Sequence, residues 1–101
     1  MPPLAFAEHI LAVDPGVGGG MALYRQSTDK IILRKWTTES EYLEFTSFMG
    51  SGDRSATAVI EDVPAYVAAA TSNASSFKLG FNYGFHVGAM RALGVPVHLI
   101  G

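Results

Sequence analysis

Two acidic residues in this chain stand where carboxylates can do chemistry. Asp14 ends the apolar run Ile10, Leu11, Ala12 and Val13, and Glu61 ends the run Ala58, Val59 and Ile60. Neither run alternates, which is the pattern of a central strand in a sheet covered on both faces. If the two strands lie side by side and parallel, both carboxylates emerge at the C-terminal edge of the sheet, where open α/β sheets bind ligands. A pair of hard oxygen donors at such an edge suits a divalent cation. Either carboxylate alone reads equally well as a solvated strand end; the pairing makes the site. The chain has no cysteine, so thiolate ligands and disulfides are excluded, and a metal must use oxygen or imidazole. The three histidines lack metal-ligand spacing. His9 and His86 read as partly buried surface residues, whereas His98, on the last strand, has a route to the metal region. Asp62 falls on the opposite side of the strand from Glu61 and reads as a supporting or solvent-facing group.

The glycines that follow Asp14 invite a nucleotide reading, and spacing tests it. A Walker loop needs Gly-Lys-Ser/Thr opening a helix, and a dinucleotide fingerprint needs a helix after its third glycine. Here Gly16, Gly18, Gly19 and Gly20 run into Met21 and a strand. The nucleotide reading that survives is a fragment of an actin-like or sugar-kinase ATPase, whose first phosphate loop joins two strands after an aspartate. The plainest reading is a hairpin turn whose glycines let backbones pass closely.

The elements that must position these residues are legible from periodicity and turn chemistry. Residues 1–8 read as a flexible lead-in, disordered or loosely packed, with two prolines ahead of any periodic pattern. Residues 9–14, 21–25 and 31–36 read as three strands of an antiparallel meander, the last an edge protected by Arg34 and Lys35. Thr38 and Glu41 form a capping-box pattern. The helix that follows carries Tyr42, Phe45 and Met49 on one stripe and stops at residues 50–53. Residues 57–61 are the fourth strand, and residues 62–73 a loop. A second helix runs from Ser75 or Ser76 to about Leu93, with Gly94 as its stop, and residues 95–100 form a fifth strand. The order β-β-β-α-β-α-β describes an α/β fold with a mixed five-stranded sheet flanked by helices.

Gly80, Gly84 and Gly88 recur every four residues on the second helix, each costing up to about 1 kcal/mol relative to alanine. Close packing of the helix on the sheet is the simpler account. The sharper one is a helix–helix contact across a homodimer, with Phe77, Phe81 and Phe85 on a neighbouring face.

Composition bounds the rest. A chain of 101 residues, 49% apolar, makes one small domain. No apolar run approaches a bilayer span and no signal-peptide pattern is present, so the reading is a cytoplasmic protein with no membrane partner. Seven basic and nine acidic residues give a net charge of −2, which is not the footprint of a strongly basic nucleic-acid binder. A local patch remains, because Arg25, Lys30, Arg34 and Lys35 fall on one hairpin.

Three blocks together resemble the RuvC-like Holliday junction resolvases, a branch of the ribonuclease H-like fold. They are Val13, Asp14, Pro15 and Gly16 with the glycines after them; Val59, Ile60 and Glu61 with Asp62, Val63 and Pro64; and Ser75 through Gly80 with Gly84. The resemblance spans residues 10–100. It implies a Mg²⁺-dependent endonuclease, with Mn²⁺ able to substitute, that hydrolyses DNA phosphodiesters at four-way junctions by two-metal catalysis. In that reading Asp14 bridges the two ions and Glu61 binds one of them. Gly18, Gly19, Pro64, Tyr66 and Lys78 would lie on the branched DNA, and Phe77, Gly80, Phe81, Gly84 and Gly88 would form a homodimer interface. The family adds acidic ligands from a helix after the fifth strand. This sequence has no Asp or Glu after Asp62, so the expectation is a nuclease core over residues 9–101, C-terminally truncated and catalytically crippled, with apolar sheet surface left uncovered. The alternative of the same fold is a non-catalytic DNA-binding or dimerisation module.

Overall fold

The computed structural model describes residues 7–16, 18–50, 55–62 and 73–101. The elements are β1 (His9–Val13), β2 (Gly20–Arg25), β3 (Lys30–Lys35), α1 (Glu39–Thr46), β4 (Ala56–Glu61), α2 (Asn73–Ala92) and β5 (Val97–Ile100). They form one five-stranded sheet in the order β3-β2-β1-β4-β5. β1, β2 and β3 are the antiparallel meander, and β1, β4 and β5 run parallel. The fold is therefore the mixed α/β sheet that the sequence describes.

Local chemistry explains the boundaries. The β2–β3 connection is a 3₁₀ turn, Gln26–Thr28, closed by Asp29 at φ 52°; the carboxylate of Asp29 accepts from the Tyr24 hydroxyl at 2.8 Å. Asparagine and aspartate tolerate that left-handed conformation better than other side chains. Thr38 caps α1 by accepting from the Glu41 amide at 3.2 Å. The reciprocal half of the capping box differs, since Glu41 accepts a hydrogen bond from the Thr37 hydroxyl. The last turn before residue 50 is 3₁₀, Ser47–Gly50, and it still delivers Met49 into the core.

Both helices among the described residues cover one face of the sheet. From that face Leu11, Val13, Met21, Leu23, Ala58 and Ile60 pack against Tyr42, Met49 and Met90. Connectivity supplies the reason. The order steps from β1 to β4 to β5 in one direction, and right-handed crossovers that step the same way put their helices on the same side. The expectation of central strands covered on both faces is thus corrected for β1, whereas β4 keeps Thr57, on the far face, fully buried. β1 alternates, with Leu11 and Val13 buried and Ala12 exposed. The face opposite these helices carries Ile31 and Leu33, 61% and 71% exposed.

Three further expectations change. The lead-in is anchored at its end: Ala7 is buried, the Glu8 carbonyl accepts from the Gln26 amide at 2.9 Å, and the Glu8 carboxylate meets Arg25 Nε at 3.1 Å. α2 begins at Asn73 rather than at Ser75 or Ser76. His86 is fully buried among aromatic rings, not at the surface. Its ring lies 4.5 Å from that of Tyr42 and 4.7 Å from that of Trp36, because the core stripe of α2 at residues 83, 86, 90 and 93 includes it.

The glycine stripe of α2 does not pack on the sheet. Gly80, Gly84 and Gly88 are exposed, and a methyl group built on any of them meets nothing within 4 Å. The stripe lies on the side of the helix opposite His86 and Met90, so close packing within the subunit does not explain it.

Candidate functional site

The pairing of Val13 with Ile60 in the parallel β1–β4 ladder makes the next residues, Asp14 and Glu61, neighbours at the C-terminal edge. Backbones of adjacent strands lie about 4.8 Å apart, and paired residues project to the same face. Both side chains are exposed. The row continues across the sheet: the Asp14 amide donates to the Gly20 carbonyl at 2.9 Å, Gly20 pairs with Lys35, and Glu61 pairs with Ile100. Lys35, Asp14 and Glu61 therefore share the face opposite the described helices. An open depression of about 450 Å³ there is lined by Ala12, Asp14, Ala22, Leu33 and Lys35. Arg34, the neighbour of Lys35, leans the other way and sets its guanidinium 5.4 Å over the Phe45 ring.

Asp14 is held by its own loop. Its Oδ1 accepts from the Gly16 amide at 3.0 Å, leaving the second oxygen for a ligand. The chain then turns so sharply that a Cβ on Gly19 would sit 2.3 Å from the Asp14 carbonyl oxygen; only glycine fits there. Gly19, expected at the DNA, serves in the structure to seat Asp14.

Glu61 is fixed from the other side of the strand. Asp62 points to the helix layer, where its Oδ1 accepts from the Tyr83 hydroxyl at 2.7 Å, and its amide donates to the Ile100 carbonyl at 2.6 Å. The hydrogen bond to the Asp62 carboxylate pushes the Tyr83 phenol above its ordinary pKa. Asp62 is thus a supporting residue. Tyr83 went unnoticed in the sequence, where only its helical spacing was visible.

The donor set suits one hard divalent cation. Mg²⁺ is commonly bound through one or two carboxylates with water completing its shell, and Asp14 and Glu61 offer that. Among the described residues no group of three or more acidic, histidine or cysteine side chains converges on a metal position. His98 sits on β5 beside Val59, one row back from the carboxylates on the same face, and its Nε2 is buried without a hydrogen-bond partner among the described residues.

The remaining expected residues divide into two groups. Gly18 and Lys78 come together in a groove of about 350 Å³ between the Asp14 loop and the start of α2. Pro64 and Tyr66 lie outside the described residues. Phe77, Gly80, Phe81, Gly84 and Gly88 share the exposed side of α2, whereas Phe85 turns inward to Trp36 and Tyr42.

No family model matches the chain, and no curated protein matches it in sequence. Among solved structures it is similar to T. thermophilus RuvC in complex with a Holliday junction substrate, with a TM-score of 0.62 over 92% of this chain. The fold is RuvC-like. Identity to RuvC is 19%, and the match covers 65% of the RuvC chain, so the likeness is one of architecture. The RuvC-like sheet is the ribonuclease H-like arrangement that the three sequence blocks imply. No helix among the described residues is long and apolar enough to cross a membrane.

Proposed function

We propose that this chain is the core of a RuvC-like, metal-dependent nuclease that acts on branched DNA, four-way junctions in particular. The observation that carries the proposal is the register that sets Asp14 beside Glu61 at the C-terminal edge of a RuvC-like sheet. Asp14 and Glu61 would hold Mg²⁺, or Mn²⁺ in its place. A divalent ion so bound supplies a water of lowered pKa and stabilises charge on a phosphodiester in hydrolysis. The protein's own residues do the rest. Gly19 and the Gly16 amide keep the Asp14 carboxylate aimed out of its loop, and Asp62 with Tyr83 steadies the backbone that carries Glu61. Lys35, in the same row, offers a cation to the phosphate backbone without competing for the metal.

A two-ion reaction requires more oxygen donors than the described residues bring together. That observation favours the second reading, a DNA-binding module that keeps the fold without a complete site. In either reading a second copy of the chain would pack on the Gly84 and Gly88 end of α2, where the missing side chains permit close backbone approach.

The test is incubation with a labelled four-way junction and Mn²⁺, beside Asp14→Asn. Cleavage by the parent chain that the variant loses by a factor of about 100 or more, beyond the loss typical of residues that only orient a ligand, supports the nuclease. Junction binding without cleavage in both supports the binding module.

A further inference from the structure

The groove between the Asp14 loop and α2 carries side chains that a metal site does not use. Phe77 and Phe81 are large apolar residues 74% and 51% exposed, with ring centroids 6.5 Å apart and planes within 21° of one another. They form one wall, Gly18 and Trp36 another, and Glu39, Lys78 and Asn82 supply polar groups around it. Trp36 is held by the core, edge-on to His86 and Phe85, so the groove keeps its shape without a ligand.

We infer that this groove binds an unpaired nucleobase of DNA, stacked on Phe81 and Phe77, with its phosphate toward Lys78. The inference rests on the reading of the Asp14 edge as DNA-facing, and it deepens that reading by assigning the form of DNA. Every base has a π-face that an exposed aromatic can cover, and such stacking tolerates any sequence. Charge complementarity separates the ends of the ligand. Glu39 repels phosphate but accepts hydrogen bonds from base amino or imino N–H groups, and the Asn82 amide offers both a donor and an acceptor. Lys78 is the cation of the groove. Gly18 belongs to the loop that follows Asp14, so the groove adjoins the loop that seats the first carboxylate. A paired base cannot enter, because its faces are occupied by neighbours in the stack. The Phe77 and Phe81 end of α2 is therefore assigned to DNA, leaving Gly84 and Gly88 for a second copy.

The experiment measures binding of a labelled oligothymidylate and of the matching duplex by fluorescence anisotropy, in EDTA, for the parent chain, Phe81→Ala, Phe77→Ala and Phe81→Trp. Circular dichroism checks that each variant keeps its fold, which the exposure of both rings favours. The expected result is a loss of about tenfold in affinity for the single strand on Phe81→Ala, with duplex binding unchanged and Phe81→Trp restoring the affinity. Equal losses on both DNAs overturn the inference, as does a parent chain that binds no single strand. So does a result in which the alanine variants only abolish self-association in sedimentation, which assigns the rings to a second copy. Because no metal is present, the two readings fail separately. Single-strand binding through Phe81 without junction cleavage overturns the nuclease alone, and junction cleavage with strand binding unchanged in Phe81→Ala overturns the base site alone.

Discussion

The Tyr83 hydroxyl reaches from the middle of α2 to the end of β4 and donates to Asp62 at 2.7 Å. One helix residue thereby pins the position adjacent to Glu61. Removing the hydroxyl in Tyr83→Phe leaves the ring in place and deletes the tether. The expected outcome is a loss of about 1 kcal/mol of stability in urea unfolding together with a several-fold weaker Mn²⁺ titration, since groups that orient a ligand tune its affinity. Unchanged Mn²⁺ affinity would make the contact purely structural.

Burial of His86 among Trp36, Tyr42 and Phe85 depresses its pKa to about 4. An unfolded histidine titrates near 6.5. Between those values the unfolded chain binds the extra proton, so the stabilisation is complete above about pH 6.5 and is lost as the pH falls toward 4. The shift corresponds to about 3 kcal/mol. Urea midpoints measured from pH 7 to pH 4 should fall for the parent chain and flatten in His86→Phe.

Gly84 and Gly88 point into open space, which separates their effect on the subunit from any effect on assembly. Replacing both by alanine should raise the stability of the monomer by about 1 kcal/mol each through helix propensity. If a second copy packs there, the same pair should weaken self-association in analytical ultracentrifugation. A gain in stability with no change in association would leave the glycines without an interface role.

Gly19 is the opposite case. A methyl group there collides with the carbonyl oxygens of Asp14 and Gly16, at 2.3 Å and 2.8 Å. Gly19→Ala should cost about 1–3 kcal/mol, the range for forced overpacking, and displace Asp14. Thermal unfolding reads the first effect, and Mn²⁺ binding reads the second.

Much of the candidate site was legible in the sequence because its parts are local. A strand that ends in Asp14, one that ends in Glu61, the Thr38 cap and the glycine turn each follow from a few neighbouring residues. Even the meander and the element order followed from spacing. Residues 63–72, with Pro64 and Tyr66, fall outside the described structure. What sequence reading placed wrongly depends on which face of an element meets which neighbour. His86 looked like a surface histidine, the glycine stripe looked like a packing face, and β1 looked buried on both sides.

The amino-acid sequence by itself determined that two carboxylates would end two apolar strands, since strand, turn and cap preferences act within a few residues. Only the tertiary structure decided the rest. The one-directional step from β1 to β4 to β5 sends both helices to one face, and that choice buries His86, turns Gly84 and Gly88 outward and leaves Leu33 uncovered. It also brings Tyr83 to Asp62 in a hydrogen bond and sets Lys78 and Gly18 on one groove, residues separated by 21 and 60 positions in the chain. Pairings at that separation carry no local signature, because they arise from strand register and crossover handedness rather than from the residues between them.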